Sequence, residues 1–406
     1  MRIVVLTPIY ATFTGKDGVT PVVHYFAREW VKMGHEVRVY HLIARYPRIF
    51  YLFARLFRER LSSHFGFPIP SKVPKCREYV SDDVRIQVLP VRKLKPHSRT
   101  SEKYVRRALE RIRKDFAENG VPDVITGHWA DPVIDLSIAL KKEFGVPICQ
   151  VYHSNHFNLS KRFGESAQSL LSAFDLIGFR SKAAMANYAS RYGAPERSFL
   201  ASSGVSSDFI REGAGTIRVF DPKIRTFVYI GSLIERKHPV SIIQALNAAY
   251  PAGNYRVTFI GDGAEMDRIA QDYLPSCRGE VIFTGRIPRE KIMTYLRDAD
   301  FFVMISEHEI FGLVYLEAMA FGLIPIGSRN EGIDGIIVDG ENGFLCKAGD
   351  ADELAGILRR LDKMPQEELL RISAQARETA QDYSDASVAG KYADALQEIV
   401  ENYRKT

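Results

Sequence analysis

The chain has 406 residues, of which 46% are hydrophobic and 26% charged. That composition excludes wholesale disorder, collagen-like repeats and a coiled-coil rod, and the length allows two to three domains at about 150 residues each. Fifty-five basic against 49 acidic residues leave a net charge of +6, too mild by itself to imply a nucleic-acid partner.

The N-terminal MRIVVLTPIY reads as a first strand. Its short apolar run is broken by a proline and lacks the cleavage site of a secretory leader. Apolar runs such as AMAFGLIPIG fall short of the roughly 18 residues that span a bilayer. Cys76, Cys149, Cys277 and Cys346 are widely separated, with no C-x-x-C. Neither a zinc site nor a disulfide framework is indicated, and a reducing cytosol fits best.

After IVVLTP, a helical stretch from Thr20 to Met33 leads through Gly34 and His35 into EVRVYHL. Residues 44–115 then hold 19 Lys/Arg against 7 Asp/Glu, a net of +12 on a chain of +6. Within them, residues 45–61 (RYPRIFYLFARLFRERL) interleave arginines with aromatic and aliphatic residues. At helical spacing Ile49, Phe53, Leu56 and Phe57 share one side, while Arg55 and Arg58 fall elsewhere. That pattern suits a helix lying in an anionic membrane interface. It equally suits a helix packed on its own domain with a solvated basic face. A nucleic-acid surface is the least supported of the three, since no binding motif accompanies the charge.

Further along, DVIT precedes Gly127 and His128, a helical Asp131 to Phe144, and the strand PICQVYH. Residues 204–221 turn Gly- and Ser-rich. The alternation restarts with TFVYIGSL and continues through YRVTFIGDG, EVIFTG, DFFVMIS, IPIGS and GFLCK to a helical tail from Gln366 to Lys405. Strands alternating with helices of this length predict βαβ units and parallel sheets. The divisions expected are an N-terminal domain at 1–208, carrying the basic segment 44–115, a C-terminal domain at 209–385, and a final helix at 386–406 packing back on the first domain. In such sheets ligands bind beyond the strand C-termini.

The densest signal lies at 306–320, SEHEIFGLVYLEAMA. Glu309 sits in the turn after a strand, and Glu317 about one turn inside the following helix. Exposed N–H groups at a helix start attract anions, and Gly312 lets a phosphate approach the backbone. Glu317 is placed to accept from a ribose diol. The plainer alternatives are a helix-start carboxylate at Glu309 and a solvated Glu317. Two other motifs are set aside. DAD at Asp298 to Asp300 precedes a strand, the wrong end of a sheet for chemistry. GDG at Gly261 to Gly263 lacks the third glycine of a dinucleotide fingerprint.

Taken together, EIFGLVYLEAMAFGLIPIGS and EGIDGIIVDGENGFL, with the E-x7-E spacing of Glu309 and Glu317, resemble the retaining glycosyltransferases of family 4. The resemblance runs over nearly the whole chain, through MRIVVLTPIY, DVITGHWADP, LASSGVSSDF, YIGSLIERKHPVSIIQAL and FIGDGAEMDRI in the family's order. It implies the GT-B architecture: two facing Rossmann-like, doubly wound parallel-sheet domains with a cleft between them. It further implies that Lys237, with Arg236 beside it, neutralises the donor diphosphate, in a turn where the family usually has Arg and this chain has Ser232. Glu309 would contact donor-sugar hydroxyls, and Glu317 the ribose. Phe311, Gly312 and Leu313 would present backbone amides, while Gly285, Arg286 and Ile287 would meet the nucleobase. Gly18 would face the diphosphate, His128 would lie under the donor sugar, and His153 also has a family counterpart.

The activity implied is transfer of a sugar from a nucleotide diphospho-sugar, UDP-linked by the family's habit, to a hydroxyl of a glycan or lipid-linked acceptor. Retention of configuration is implied, with no metal and no separate cofactor. The basic segment suggests an envelope polysaccharide or glycolipid precursor as acceptor, and a cytoplasmic enzyme on the inner face of the membrane. Two other readings stay open: a sugar-nucleotide epimerase on the same architecture, and a non-catalytic partner that holds a transferase at the membrane.

Overall fold

A strand covered on both faces stays apolar along its length instead of alternating. Ile3, Val4, Val5 and Leu6 do so, each buried. The computed structural model describes residues 1–11, 21–65, 72–96, 98–153, 164 and 167–405; Gly18 lies outside them. The chain divides into two units. Met1–Arg180, Asn187–Ala201 and Val388–Thr406 form the first, and Ser181–Ala186 with Ser202–Ser387 the second.

The first unit contains β1 (Arg2–Thr7), β2 (Glu36–His41), β3 (Ala44–Arg45), β4 (Arg77–Ser81), β5 (Val84–Val88), β6 (Val91–Arg92), β7 (Val124–His128), β8 (Ile148–Tyr152), β9 (Leu176–Phe179) and β10 (Ser198–Leu200). Eight of these form a sheet in the order β10-β9-β8-β7-β1-β2-β5-β4, and β3 pairs with β6 apart from it. Only the edge strand β4 runs antiparallel, returning into β5. Asp82 and Asp83 make that turn with φ of 49° and 60°, the left-handed pair that a two-residue hairpin requires. Helices α1 (Val22–Lys32), α2 (Arg48–Phe65), α3 (Glu102–Asn119) and α4 (Val133–Phe144) belong to this unit. Its core packs Val4, Leu6, Ile125 and Ile148 of the sheet together with Ile112 and Phe116 of α3.

The second unit holds β11 (Arg225–Ile230), β12 (Tyr255–Ile260), β13 (Glu280–Gly285), β14 (Phe301–Val303), β15 (Ile324–Ser328) and β16 (Phe344–Cys346). They form one parallel sheet in the order β13-β12-β11-β14-β15-β16. The winding reverses between β11 and β14, which makes the crevice beyond those two strands the preferred ligand position. Here α5 (Ser207–Ala214), α6 (Arg289–Asp298) and α7 (Leu313–Ala320) matter most for the site.

The Gly/Ser-rich stretch 204–221 is not an open linker. It includes α5, and Arg218 behind it is buried. The Arg218 guanidinium donates to Phe321 O at 2.8 Å and Arg297 O at 3.1 Å, and also to the carbonyls of Leu296 and Ala299. The last carbonyls of a helix lack internal partners, so one arginine satisfies the end of α6 and the residue following α7. The last helix, α8 (Asp385–Lys405), begins in the second unit and continues in the first. Within the first unit Trp30 donates its indole N–H to Ala389 O at 2.9 Å, and Tyr392 meets Phe26 and Trp30 edge-on.

Candidate active site

The second unit gathers charge at the switch of its sheet. After β11 the chain passes Gly231 and Ser232 into a short 3-10 turn, Glu235–Lys237. After β14 it passes Ser306 and reaches Glu309. The Lys237 ammonium lies 2.9 Å from Glu309 Oε2, with the side chains 12% and 17% exposed. Arg236 Nη1 stands 4.0 Å from the same oxygen. The two loops are tied through the backbone, since Glu307 N–H donates to Arg236 O at 2.7 Å. The Glu309 N–H donates to Glu331 Oε2 at 2.8 Å. The result is a cation pair converging on one carboxylate, still in reach of solvent.

Gly312 precedes α7 with φ of +77°, and a Cβ there would fall 2.6 Å from the Tyr315 ring. Glycine is therefore required by both backbone and space. It sets Leu313 as the first helical residue, with free N–H groups at the helix start, while Phe311 is buried beside it. Glu317 lies one turn further, 2% exposed, and is met by the guanidinium of Arg289 from α6. Burial pushes the Glu317 carboxyl above its ordinary range, and Arg289 opposes the shift. The GDG turn acts through close approach. A Cβ on Gly261 would sit 1.9 Å from Gly231 O, and one on Gly263 would sit 2.2 Å from Leu233 O.

The remaining positions of this unit fall around these pairs. Ser232 exposes its side chain and accepts from the Tyr229 hydroxyl through its carbonyl at 2.8 Å. Arg286 pairs with Asp262 at 2.6 Å rather than joining the Lys237 cluster, and Ile287 packs against the core. Sequence reasoning missed Arg289 and Glu331. Each is fixed by tertiary contact alone, with no local spacing to mark it.

The first unit places His128 as the last residue of β7, fully buried. Its Nδ1 shares a hydrogen bond with His153 Nε2 at 2.9 Å, and the Trp129 ring stacks on His153 at 3.9 Å. Trp129 itself holds φ of +64°. Burial pushes the His128 imidazole down to about 3, and burial with the nearby Arg180 holds His153 well below its usual value. The pair is thus neutral, with one N–H donated between the rings. Among the described residues His128 Nε2 has no partner although it is buried. A second polar relay went unread in the sequence. Tyr10 OH lies 2.6 Å from His24 Nδ1, and His24 Nε2 lies 2.8 Å from Asp82 Oδ2.

Comparison with known proteins identifies the units. Residues 16–209 match Glycosyltransferase Family 4, and residues 217–379 match Glycosyl transferases group 1. N-acetyl-alpha-D-glucosaminyl L-malate synthase of Bacillus anthracis is 31% identical over 157 residues, covering 38% of this chain and 40% of that protein. The lipopolysaccharide core biosynthesis glycosyltransferase LpsE of Rhizobium meliloti is 36% identical over 135 residues, 32% of this chain and 38% of the relative. The chain thus spans well under two thirds of the length of either. Among solved structures, Anabaena Alr3699/HepE in complex with UDP superposes with a TM-score of 0.67 at 16% identity, over 98% of this chain and 100% of that one. The chain thus matches Glycosyltransferase Family 4 over residues 16–209 and Glycosyl transferases group 1 over residues 217–379, on two Rossmann-like parallel sheets of the GT-B type.

Proposed function

We propose that the chain is a retaining glycosyltransferase, moving a sugar from a nucleotide diphospho-sugar to a hydroxyl of a glycan or lipid-linked acceptor. A UDP-sugar is the favoured donor, and the acceptor belongs to cell-envelope polysaccharide or glycolipid synthesis. The observation that carries this reading is the Lys237–Glu309 pair at 2.9 Å, set at the winding switch where an α/β sheet binds its ligand. LpsE, named for lipopolysaccharide core biosynthesis, supports the envelope assignment. The UDP complex of the Anabaena protein supports the nucleotide.

In this reading Lys237 and Arg236 turn from Glu309 toward the donor diphosphate. Preorganised cations stabilise charge as it develops on the leaving group, and no metal is then required. The first N–H groups of α7 face the phosphates, and Glu309, released, holds donor-sugar hydroxyls. Glu317, anchored by Arg289, offers its carboxylate to the ribose. Neutral His128 supplies a hydrogen-bonding edge from the first domain. The acceptor oxygen attacks the anomeric carbon on the face the diphosphate leaves. The bond to the phosphate oxygen breaks, that oxygen takes the acceptor proton, and configuration is retained. The exposed apolar side of α2 supports a peripheral position on the inner membrane face; among the described residues no helix is long and apolar enough to cross a membrane.

Thermal unfolding with UDP, GDP, ADP and TDP, with and without EDTA, tests the reading. A nucleotide at a hundredfold excess over its Kd stabilises by about 2.7 kcal/mol. The expected result is a shift with UDP that persists in EDTA and is lost in Glu317→Ala. No shift with any nucleotide would return the chain to the non-catalytic partner reading. Conversion of the donor sugar without an acceptor would identify an epimerase.

A further inference from the structure

Past the C-terminal ends of β2 and β5 the first unit encloses a cavity of about 480 Å³, the size of a small-molecule site. Arg45 and Arg48 reach it from the segment after β2, Arg92 from β6, and Arg107 and Arg111 from α3. Positions 107 and 111 are four apart and so share a helix face. Tyr46 and Tyr104 add aromatic wall, and among the described residues no Asp or Glu lines the space.

Neighbouring cations are treated differently. Arg38 pairs with Asp115 at 3.0 Å, Arg106 with Glu102 at 2.8 Å, and Arg113 with Glu143 at 2.5 Å. Among the described residues none of the five pocket arginines has a carboxylate within 4.0 Å. Arg92 donates only to the Tyr104 hydroxyl at 3.3 Å, and Arg111 to Cys76 Sγ at 2.6 Å. A second cavity of about 420 Å³ beside α3 shares Arg111 with the first but sets Glu78, Asp115 and Glu118 among its cations, so it is balanced where the first is not. Five uncompensated like charges around one space call for an anion. All five are arginines, whose planar forks match phosphate oxygens.

The rim is apolar in a particular direction. Arg48 is both a pocket residue and the first residue of α2. From there Ile49, Leu52, Phe53, Leu56 and Phe57 stand 48–75% exposed, while Tyr51 and Ala54 face the protein. Isolated exposed leucines mean little, but a contiguous apolar stripe marks an interaction surface.

We propose that the five-arginine pocket binds the phosphoryl head group of an anionic lipid in a bilayer, with the hydrocarbon region meeting the exposed side of α2. This rests on the membrane-side reading above and replaces general charge attraction with a defined site.

Sedimentation of the full chain with vesicles tests it. The probes are phosphatidylcholine alone, phosphatidylcholine with phosphatidic acid, and soluble pyrophosphate. Two variants carry the same charge change: R92Q/R107Q/R111Q in the pocket and R106Q/R113Q/K114Q on the paired part of α3. Binding to phosphatidic acid vesicles is expected to fall roughly a hundredfold in the pocket variant, the effect of three surface cations, and by less than about tenfold in the other. Equal losses would overturn the pocket in favour of diffuse electrostatics. Equal binding to neutral and anionic vesicles would overturn it as well. Pyrophosphate binding without vesicle binding would replace the bilayer lipid by a soluble phosphorylated ligand. A UDP-induced thermal shift retained in both variants keeps failure of this site distinct from failure of the donor site.

Discussion

The two units place opposite chemistry at the same topological position. In each, the sheet reverses its winding at the centre, and candidate site residues gather at the strand ends near the reversal. In the second unit those side chains are Lys237 and Glu309, charged, paired and partly wet. In the first they are His128 and His153, bonded to each other under Trp129. Burial decides the difference. An ion that keeps some water can hold its charge and change partner, whereas an enclosed imidazole loses its proton. The first unit therefore offers neutral hydrogen bonding where the second offers a charged pair.

The strongest way to break that contrast is to remove the charge. Lys237→Ala and Glu309→Ala are each expected to lower kcat by roughly 10²–10³-fold, the usual loss for one electrostatic stabiliser. The double variant should lose little more than either single one, because residues acting as a unit are not additive. Nucleoside diphosphate release gives the rates, and a loss below tenfold in both would remove the pair from the reaction centre.

Acid tests the neutral side. His128 in the folded chain is held down to about 3 and half-buried His41 down to about 4, whereas both titrate near 6.5 when unfolded. Between those values the unfolded state binds more protons, so stability falls as pH drops from about 6.5 toward 3. Each group contributes up to about 1.4 kcal/mol per pH unit. Trp30 and Trp129, the chain's two tryptophans, both lie in the first unit. Acid unfolding followed by tryptophan fluorescence therefore reports on that unit, and His128→Gln should flatten the pH slope. An unchanged slope would mean that His128 is accessible to protons in the folded state.

The smallest expected effect falls on the backbone frame of the charged side. Gly312→Ala forces a positive φ and a contact with Tyr315, worth about 1–3 kcal/mol. Calorimetry should show that loss, with the acid transition of the tryptophans unmoved.

Much of this was legible in sequence because it is local. Alternating strands and helices, the residues following β11 and β14, and the apolar side of α2 all follow from short patterns. In the structure α2 packs on its domain through Tyr51 and Ala54, while Ile49, Phe53, Leu56 and Phe57 stand exposed. What remained hidden depends on distant partners. The hairpin of β4 and β5 was masked by alternating charges within the basic segment. Arg289 finds Glu317 from 28 residues away, and His24 finds Asp82 across 58. Glycines and serines at 204–221 mark only a change of texture in the sequence, because composition does not report the buried Arg218 within it. The continuous stretch of the second unit accordingly begins at Ser202, and the Val205 N–H donates to Tyr383 O at 2.8 Å within it.

Arg218 also decides how the molecule can be cut apart. Anyone exchanging donor halves between relatives would be tempted to join them in the Gly- and Ser-rich stretch. A half that starts at residue 219 leaves behind the guanidinium that serves the carbonyls of Leu296, Arg297, Ala299 and Phe321. Those acceptors would then be bare in a packed interior, and the transplanted half would arrive without its fastening. A splice at Ala201–Ser202 carries the fastening along.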